Sequence, residues 1–175
     1  MAKIDWSSKG QETPSIIERA HHLYQRHNLA LTRHSRIPGL LARYQKDIDL
    51  TAQRTVSLGV PAFCIACAKR DCVCCFKGVE QRYDEYLLLT NLMLGDRGAW
   101  AAQAGATCFY CGAAGCTLAA KHSFCLNFYC ADIKRGLGVA GMDVLMRQVG
   151  QELSSQWELE RVLMPWLWAE AEREG

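Results

Sequence analysis

Several features common in other proteins are missing from this sequence. No uninterrupted apolar run approaches the roughly 20 residues that a membrane-spanning helix needs. The opening stretch, Met1-Ala-Lys-Ile-Asp-Trp-Ser-Ser-Lys-Gly10, is polar and lacks the apolar core of a secretory signal. Proline is scarce, with four in 175 residues, and clear strand alternation is scarcer still. An excess of one charge is absent: 20 Lys/Arg stand against 18 Asp/Glu, a net charge of +2, too small to argue for nucleic acid by itself. There is no low-complexity tract and no repeat of fixed period. Cysteine is missing from residues 1–63 and again from 131–175. These absences lead us to expect one domain over 1–175 that neither spans a membrane nor leaves the cytoplasm.

What the sequence does hold is concentrated. All ten cysteines lie between Cys64 and Cys130. A secreted disulfide scaffold spreads its cysteines over a short chain that has no core of its own. Here the block sits between two segments with apolar faces. With no export signal the expected compartment is reducing, where dense thiols bind metal rather than pair.

The flanks read as helices. Thr13-Pro14-Ser15-Ile16-Ile17-Glu18 places a proline in the first turn with a Ser-x-x-Glu capping box. Ile16, Ala20, Leu23, Tyr24, His27 and Leu31 then recur at helical spacing. A break over Ser35–Gly39 precedes a second helix on Leu41, Tyr44, Ile48 and Thr55, ending near Gly59-Val-Pro61. Val79 to Met93 reads as a helix inserted in the cysteine block. After the block, Val139, Met142, Leu145, Met146, Val149 and Leu153 mark another helix, and a second capping box, Ser155-Gln-Trp-Glu158, opens a last one that Pro165 kinks or ends. The expected fold is mainly α. Its parts are an N-terminal helical pair (1–63), a loop-rich cysteine metal-binding core with an inserted helix (64–135), and C-terminal helices (136–175). The net charges of these segments are +4, +2 and −4, from nine basic against five acidic, eight against six and three against seven residues.

The first half of the block is Cys64-Ile-Ala-Cys67-Ala-Lys-Arg-Asp-Cys72-Val-Cys74-Cys75. The second begins Cys108-Phe-Tyr-Cys111-Gly-Ala-Ala-Gly-Cys116 and closes with Cys125 and Cys130. A C-x-x-C turn brings two thiols to one metal, and Gly112 after Cys111 lets that turn close. Two such turns among six further cysteines point to thiolate metal binding. Adjacent side chains in extended backbone point to opposite sides, so Cys74-Cys75 suggests two sites or a polynuclear cluster.

This pattern resembles the YkgJ-type cysteine-cluster family, a zinc- or iron-chelating domain with a C-x-x-C, a vicinal C-C, a downstream G-C, a basic residue and two closing cysteines. The matching positions are Cys64, Cys67, Cys74, Cys75, Cys108, Gly115-Cys116-Thr-Leu118, Lys121, Cys125 and Cys130, covering about residues 63–131. The resemblance implies metal ligation by Cys64, Cys67, Cys74, Cys75, Cys108, Cys116, Cys125 and Cys130. It leaves Cys72 and Cys111 as possible additional ligands, although Cys111-Gly112 has the form of a metal knuckle. The chain departs from the pattern in a longer first spacing, in the inserted Cys72 and Cys111, and in His122 where the family has proline. A related domain in proteins similar to flagellin lysine-N-methylases implies a second reading, a redox or accessory component of a modifying enzyme.

The expected cofactor is a [4Fe–4S] cluster or zinc, each of which takes four thiolates. The surplus of thiols and the vicinal pair lean towards iron–sulfur, while the ferredoxin run C-x2-C-x2-C-x3-C-P is absent. Other signals are weaker. His21, His22, His27 and His34 lack the spacing of a helical ligand pair and read as ordinary surface or core residues, while His122 sits within the block as a reserve ligand. Gly136-Leu-Gly138-Val-Ala-Gly141 matches G-x-G-x-x-G, but without a preceding strand it reads as a helix start rather than a nucleotide loop. Arg33, Arg36, Arg43, Lys46 and Arg54 read as solvated helix surface and not as a nucleic-acid interface. No nucleophile elbow, P-loop or H-E-x-x-H motif marks an enzyme class. Trp157 and Trp168 fall on one side of the last helix, and Leu159, Leu163 and Trp166 towards the other. More apolar surface than one packed face requires leads us to expect a protein partner there.

Overall fold

Among the described residues there are six α-helices, the first opening at Thr13, and only two strands, of two residues each. The structure, a computed structural model, describes residues 13–68, 78–98, 100, 108–112 and 115–174. In order they form α1 (Thr13–Arg33), α2 (Ile37–Ser57), α3 (Val60–Ala68), a 3-10 turn (Val79–Arg82), α4 (Glu85–Met93), β1 (Cys111–Gly112), β2 (Gly115–Cys116), α5 (Ser123–Asn127) and α6 (Ala131–Glu174). The protein is therefore mainly helical, as the periodicity implies. Two compact units divide the chain. One comprises residues 1–28 and 75–122, and the other residues 29–74 and 123–175.

In the first unit, Ile16, Ala20 and His27 of α1 are buried while His22 and Arg26 stand out in solvent. The helix expected over Val79–Met93 is two elements. The 3-10 turn ends at Tyr83, whose extended backbone breaks the run, and Asp84 begins again as the cap of α4, its carboxylate accepting the Leu87 N–H at 2.8 Å. A charged side chain free to cap outcompetes continuation through an extended residue. Leu87 to Leu92 are all buried, so α4 is enclosed on every side and not amphipathic. It ends at Gly95, whose φ of 94° suits only glycine comfortably.

In the second unit, α2 packs along α6. Ile37, Tyr44 and Thr51 supply the buried face of α2, and Leu145, Val149, Leu159, Leu163 and Leu167 that of α6. The basic outer edge of α2 meets the acidic helix through Arg43 and Glu158, 2.8 Å apart and both partly exposed, a pair worth about 0–1 kcal/mol. Gly59, with φ 73°, turns the chain into α3. There Val60 joins Ile133 and Leu145 in a buried cluster. Gly136 makes the α3 approach possible, since a Cβ there would lie 2.1 Å from Phe63 Cζ.

The two helices expected after the cysteines are one long element with a different interruption. Gly138 (φ 61°, ψ −175°) breaks the helical backbone of α6, and Val139, expected on the apolar face, is 90% exposed just beyond it. Ser155 opens nothing: it is buried in mid-helix, its hydroxyl donating to the Glu152 carbonyl. No breaker precedes it, so its capping pattern has no free helix end to satisfy. Pro165 likewise stays inside the helix.

Candidate metal centre

The second half of the cysteine block forms a short antiparallel pairing in the first unit. Cys111 N–H donates to the Cys108 carbonyl at 3.1 Å, closing the C-x-x-C as a turn. β1 and β2 then pair antiparallel with Cys111 opposite Cys116 and Gly112 opposite Gly115. The Tyr110 carbonyl accepts both the Thr117 N–H and the Thr117 hydroxyl at 3.0 Å, which fixes this register. Cys108 is buried, Cys111 half-buried and Cys116 exposed. Cys111 Sγ makes a long contact of 3.8 Å with the Gly112 carbonyl.

An aromatic wall holds this hairpin. Tyr110 is buried, with its ring 5.0 Å from Tyr83 and 6.1 Å from Trp100. Trp100 is itself positioned by its indole N–H on Asp96 at 3.0 Å. Beyond β2, Ala120 is clamped to Asn91 of α4 by hydrogen bonds of 2.9 Å in both directions. The Tyr83 hydroxyl accepts the His122 N–H at 3.1 Å. Burial, then Cys108, Glu80 and Cys116, push the Tyr110 phenol well above its ordinary range. Its hydroxyl and Glu80 Oε2 are buried without a hydrogen-bond partner among the described residues. Burial lowers the His122 imidazole below its usual value, with Asp84 opposing and Arg82 reinforcing.

The remaining described cysteines lie in the second unit. Cys64 and Cys67 occur within α3, Cys125 within α5, and Cys130 directly before α6. The first C-x-x-C is thus helical where a metal-binding turn is expected, because Pro61 near the helix start and the alanines at 62, 66 and 68 favour helix. Cys130 packs against the Val60–Ile133–Leu145 cluster, and its carbonyl accepts the Lys134 N–H. Burial, then the Cys130 thiol, raise Cys64 above its ordinary value. Tyr129 is pushed up to about 12 by burial, then by Glu152 and Cys64.

Of the sequence-derived ligands, Cys116 lies opposite Cys111 and Cys108 begins the turn that leads to it, while Cys130 packs against the cluster that also holds Phe63, next to Cys64. Cys72, Cys74 and Cys75 lie outside the described residues. Among the described residues, no three His, Cys, Asp or Glu side chains are already gathered as a metal-holding group, and no helix is long and apolar enough to cross a membrane. The donor chemistry nevertheless fits zinc or iron. Cys108 and Cys111, which bracket one glycine-closed turn, and Cys116 opposite Cys111 offer soft sulfur donors of the kind these metals take. Sequence spacing alone missed the pairing of Cys111 with Cys116, whose one signal was the glycine at each inner position, 112 and 115. The nucleotide-loop motif over 136–141 lies within α6. Comparison with family models, with curated proteins and with solved structures finds no match.

Proposed function

We propose that this is a cytoplasmic metal-binding protein of the YkgJ type, in which a thiolate cluster holding iron–sulfur or zinc serves as structural core or partner-binding module. The observation that carries this reading is the pairing of Cys111 with Cys116 across the two short strands and the closing of Cys111 N–H on the Cys108 carbonyl. Cys64 and Cys130, with Cys67 and Cys125, supply further thiolates. When bound, the metal would tie together strands of only two residues each. Protein purified without oxygen should carry bound metal, measured by elemental analysis beside a visible spectrum. A broad band near roughly 400 nm identifies iron–sulfur, and a colourless protein with stoichiometric zinc identifies zinc. Metal-free protein with all thiols reduced would overturn the reading.

The partner-binding part rests on α6. Leu159, Leu163 and Leu167 are buried, whereas Trp157 and Trp168 are 55% and 51% exposed. The Arg161 guanidinium lies 4.5 Å over the Trp157 ring, beside a groove lined by Arg36, Leu40 and Val162. Exposed tryptophan beside arginine is the composition of an interface anchor. Light scattering should find the intact chain above monomer mass and Trp168→Ala at monomer mass. A strict monomer in both, with no protein retained on the immobilised chain, would leave this side of α6 as solvent surface.

A further inference from the structure

We propose that the thiols serve two metal sites, and that Cys111 is a ligand of one of them. A hairpin site takes a single divalent ion of the zinc class through Cys108, Cys111 and Cys116, and a second site is built on Cys64 and Cys130. This rests on the metal-binding reading above and divides it.

The hairpin's hydrogen bonds carry the first half. Antiparallel strands alternate between hydrogen-bonded pairs and closer, non-hydrogen-bonded ones. The bond from Thr117 N–H to the Tyr110 carbonyl makes 110 and 117 a bonded pair. The next pair inward, Cys111 and Cys116, is therefore of the close kind, with Cα atoms about 4.5 Å apart and both side chains on one face. Tetrahedral zinc with sulfur at about 2.3 Å needs thiolates roughly 3.8 Å from one another, which such a pair satisfies by rotation about χ1 alone. Cys108 enters through the turn that its own carbonyl closes on Cys111 N–H. Gly112 and Gly115, the pair beyond, place no side chain over the thiols.

The second half rests on a different construction. Cys64 rides on α3, and the absence of a side chain at Gly136 lets Phe63 of that helix reach the start of α6, where Cys130 stands. Phe63, the chain neighbour of Cys64, and Cys130 pack against the same buried cluster of Val60, Ile133 and Leu145. Each set lies within its own compact unit, Cys108, Cys111 and Cys116 in one and Cys64 and Cys130 in the other.

The test uses the full-length protein, purified anaerobically and then loaded with Co(II) as the probe. Metal content and the thiolate-to-cobalt absorption are read for the wild type, Cys111→Ser, Cys64→Ser and the double variant. Each single variant should lose part of the bound metal and part of the absorption, and the two losses should sum to that of the double. Cys111→His, which restores a zinc-competent donor, should recover the hairpin ion with a blue-shifted spectrum. This recovery separates ligation from a folding role, which circular dichroism checks independently. Full metal retention in Cys111→Ser overturns the proposal, as does loss of all metal in either single variant, which would mean one shared cluster. A Cys111–Cys116 disulfide found by thiol counting in the anaerobic protein would also overturn it. Wild-type protein that binds no metal would instead overturn the metal-binding reading itself.

Discussion

On the proposed metal-binding reading, a chelator should lower the melting temperature of the protein by roughly 8–16 °C. A ligand present at 1,000 times its dissociation constant stabilises the native state by about 4 kcal/mol, and each kcal/mol moves the midpoint of a chain this size by about 2–4 °C. The physical reason lies in how little strand pairing the hairpin has of its own. Its strands are two residues long, far below what a free hairpin needs in water. Free energy gained by the ion is then folding free energy for the segment around it. Calorimetry on holo and chelated protein, both fully reduced, reads the shift directly. Coincident transitions would show that the thiolates are no part of the stable fold.

Replacing Asn91 by alanine should cost about 2–5 kcal/mol, the largest effect expected from any single polar side chain here. Asn91 is buried in α4, and its carboxamide donates to the Leu87 carbonyl at 3.0 Å and to the Ala120 carbonyl at 2.9 Å while accepting the Ala120 N–H at 2.9 Å. Ala120 is buried as well, and Asn91 stands in for the neighbouring strand that its backbone lacks. Truncation strands a buried N–H and a buried C=O, each costing about 1–3 kcal/mol. Ala120 follows Cys116 by four residues, so on the proposed metal-binding reading Asn91→Ala should also weaken metal retention. Urea unfolding followed by circular dichroism measures the first effect. A loss below about 1 kcal/mol would mean that water satisfies the orphaned groups.

The helices were legible where one face alone is apolar. Ile16, Ala20, His27 and Leu31 repeat at helical steps because one side of α1 is buried and the other wet, and Tyr44 marks α2 in the same way. Legibility fails where burial is not one-sided. α4 is enclosed all round, so its period gives no boundary, and the true start lay in the capping chemistry of Asp84 rather than in hydrophobicity. α3 is apolar throughout its nine residues, which hides a helix inside what reads as a run of ligands. The site divides similarly. Cys108-x-x-Cys111-Gly is readable because a tight turn and a glycine are local requirements. The pairing of Cys111 with Cys116 is not, since a strand of two residues has no alternation to detect and its register depends on Thr117 reaching back to Tyr110.

The break at Gly138 has a practical consequence. Nothing lies within 4 Å of where a β-carbon on Gly138 would stand, and Val139 projects almost fully into solvent. Backbone of that kind tolerates added mass, because an attachment there displaces no packed neighbour. A fluorophore carried on a residue at 139 would sit nine positions beyond Cys130 and report on that end of α6 from outside the core. Labelling through a lysine or an unnatural amino acid would leave every thiol untouched.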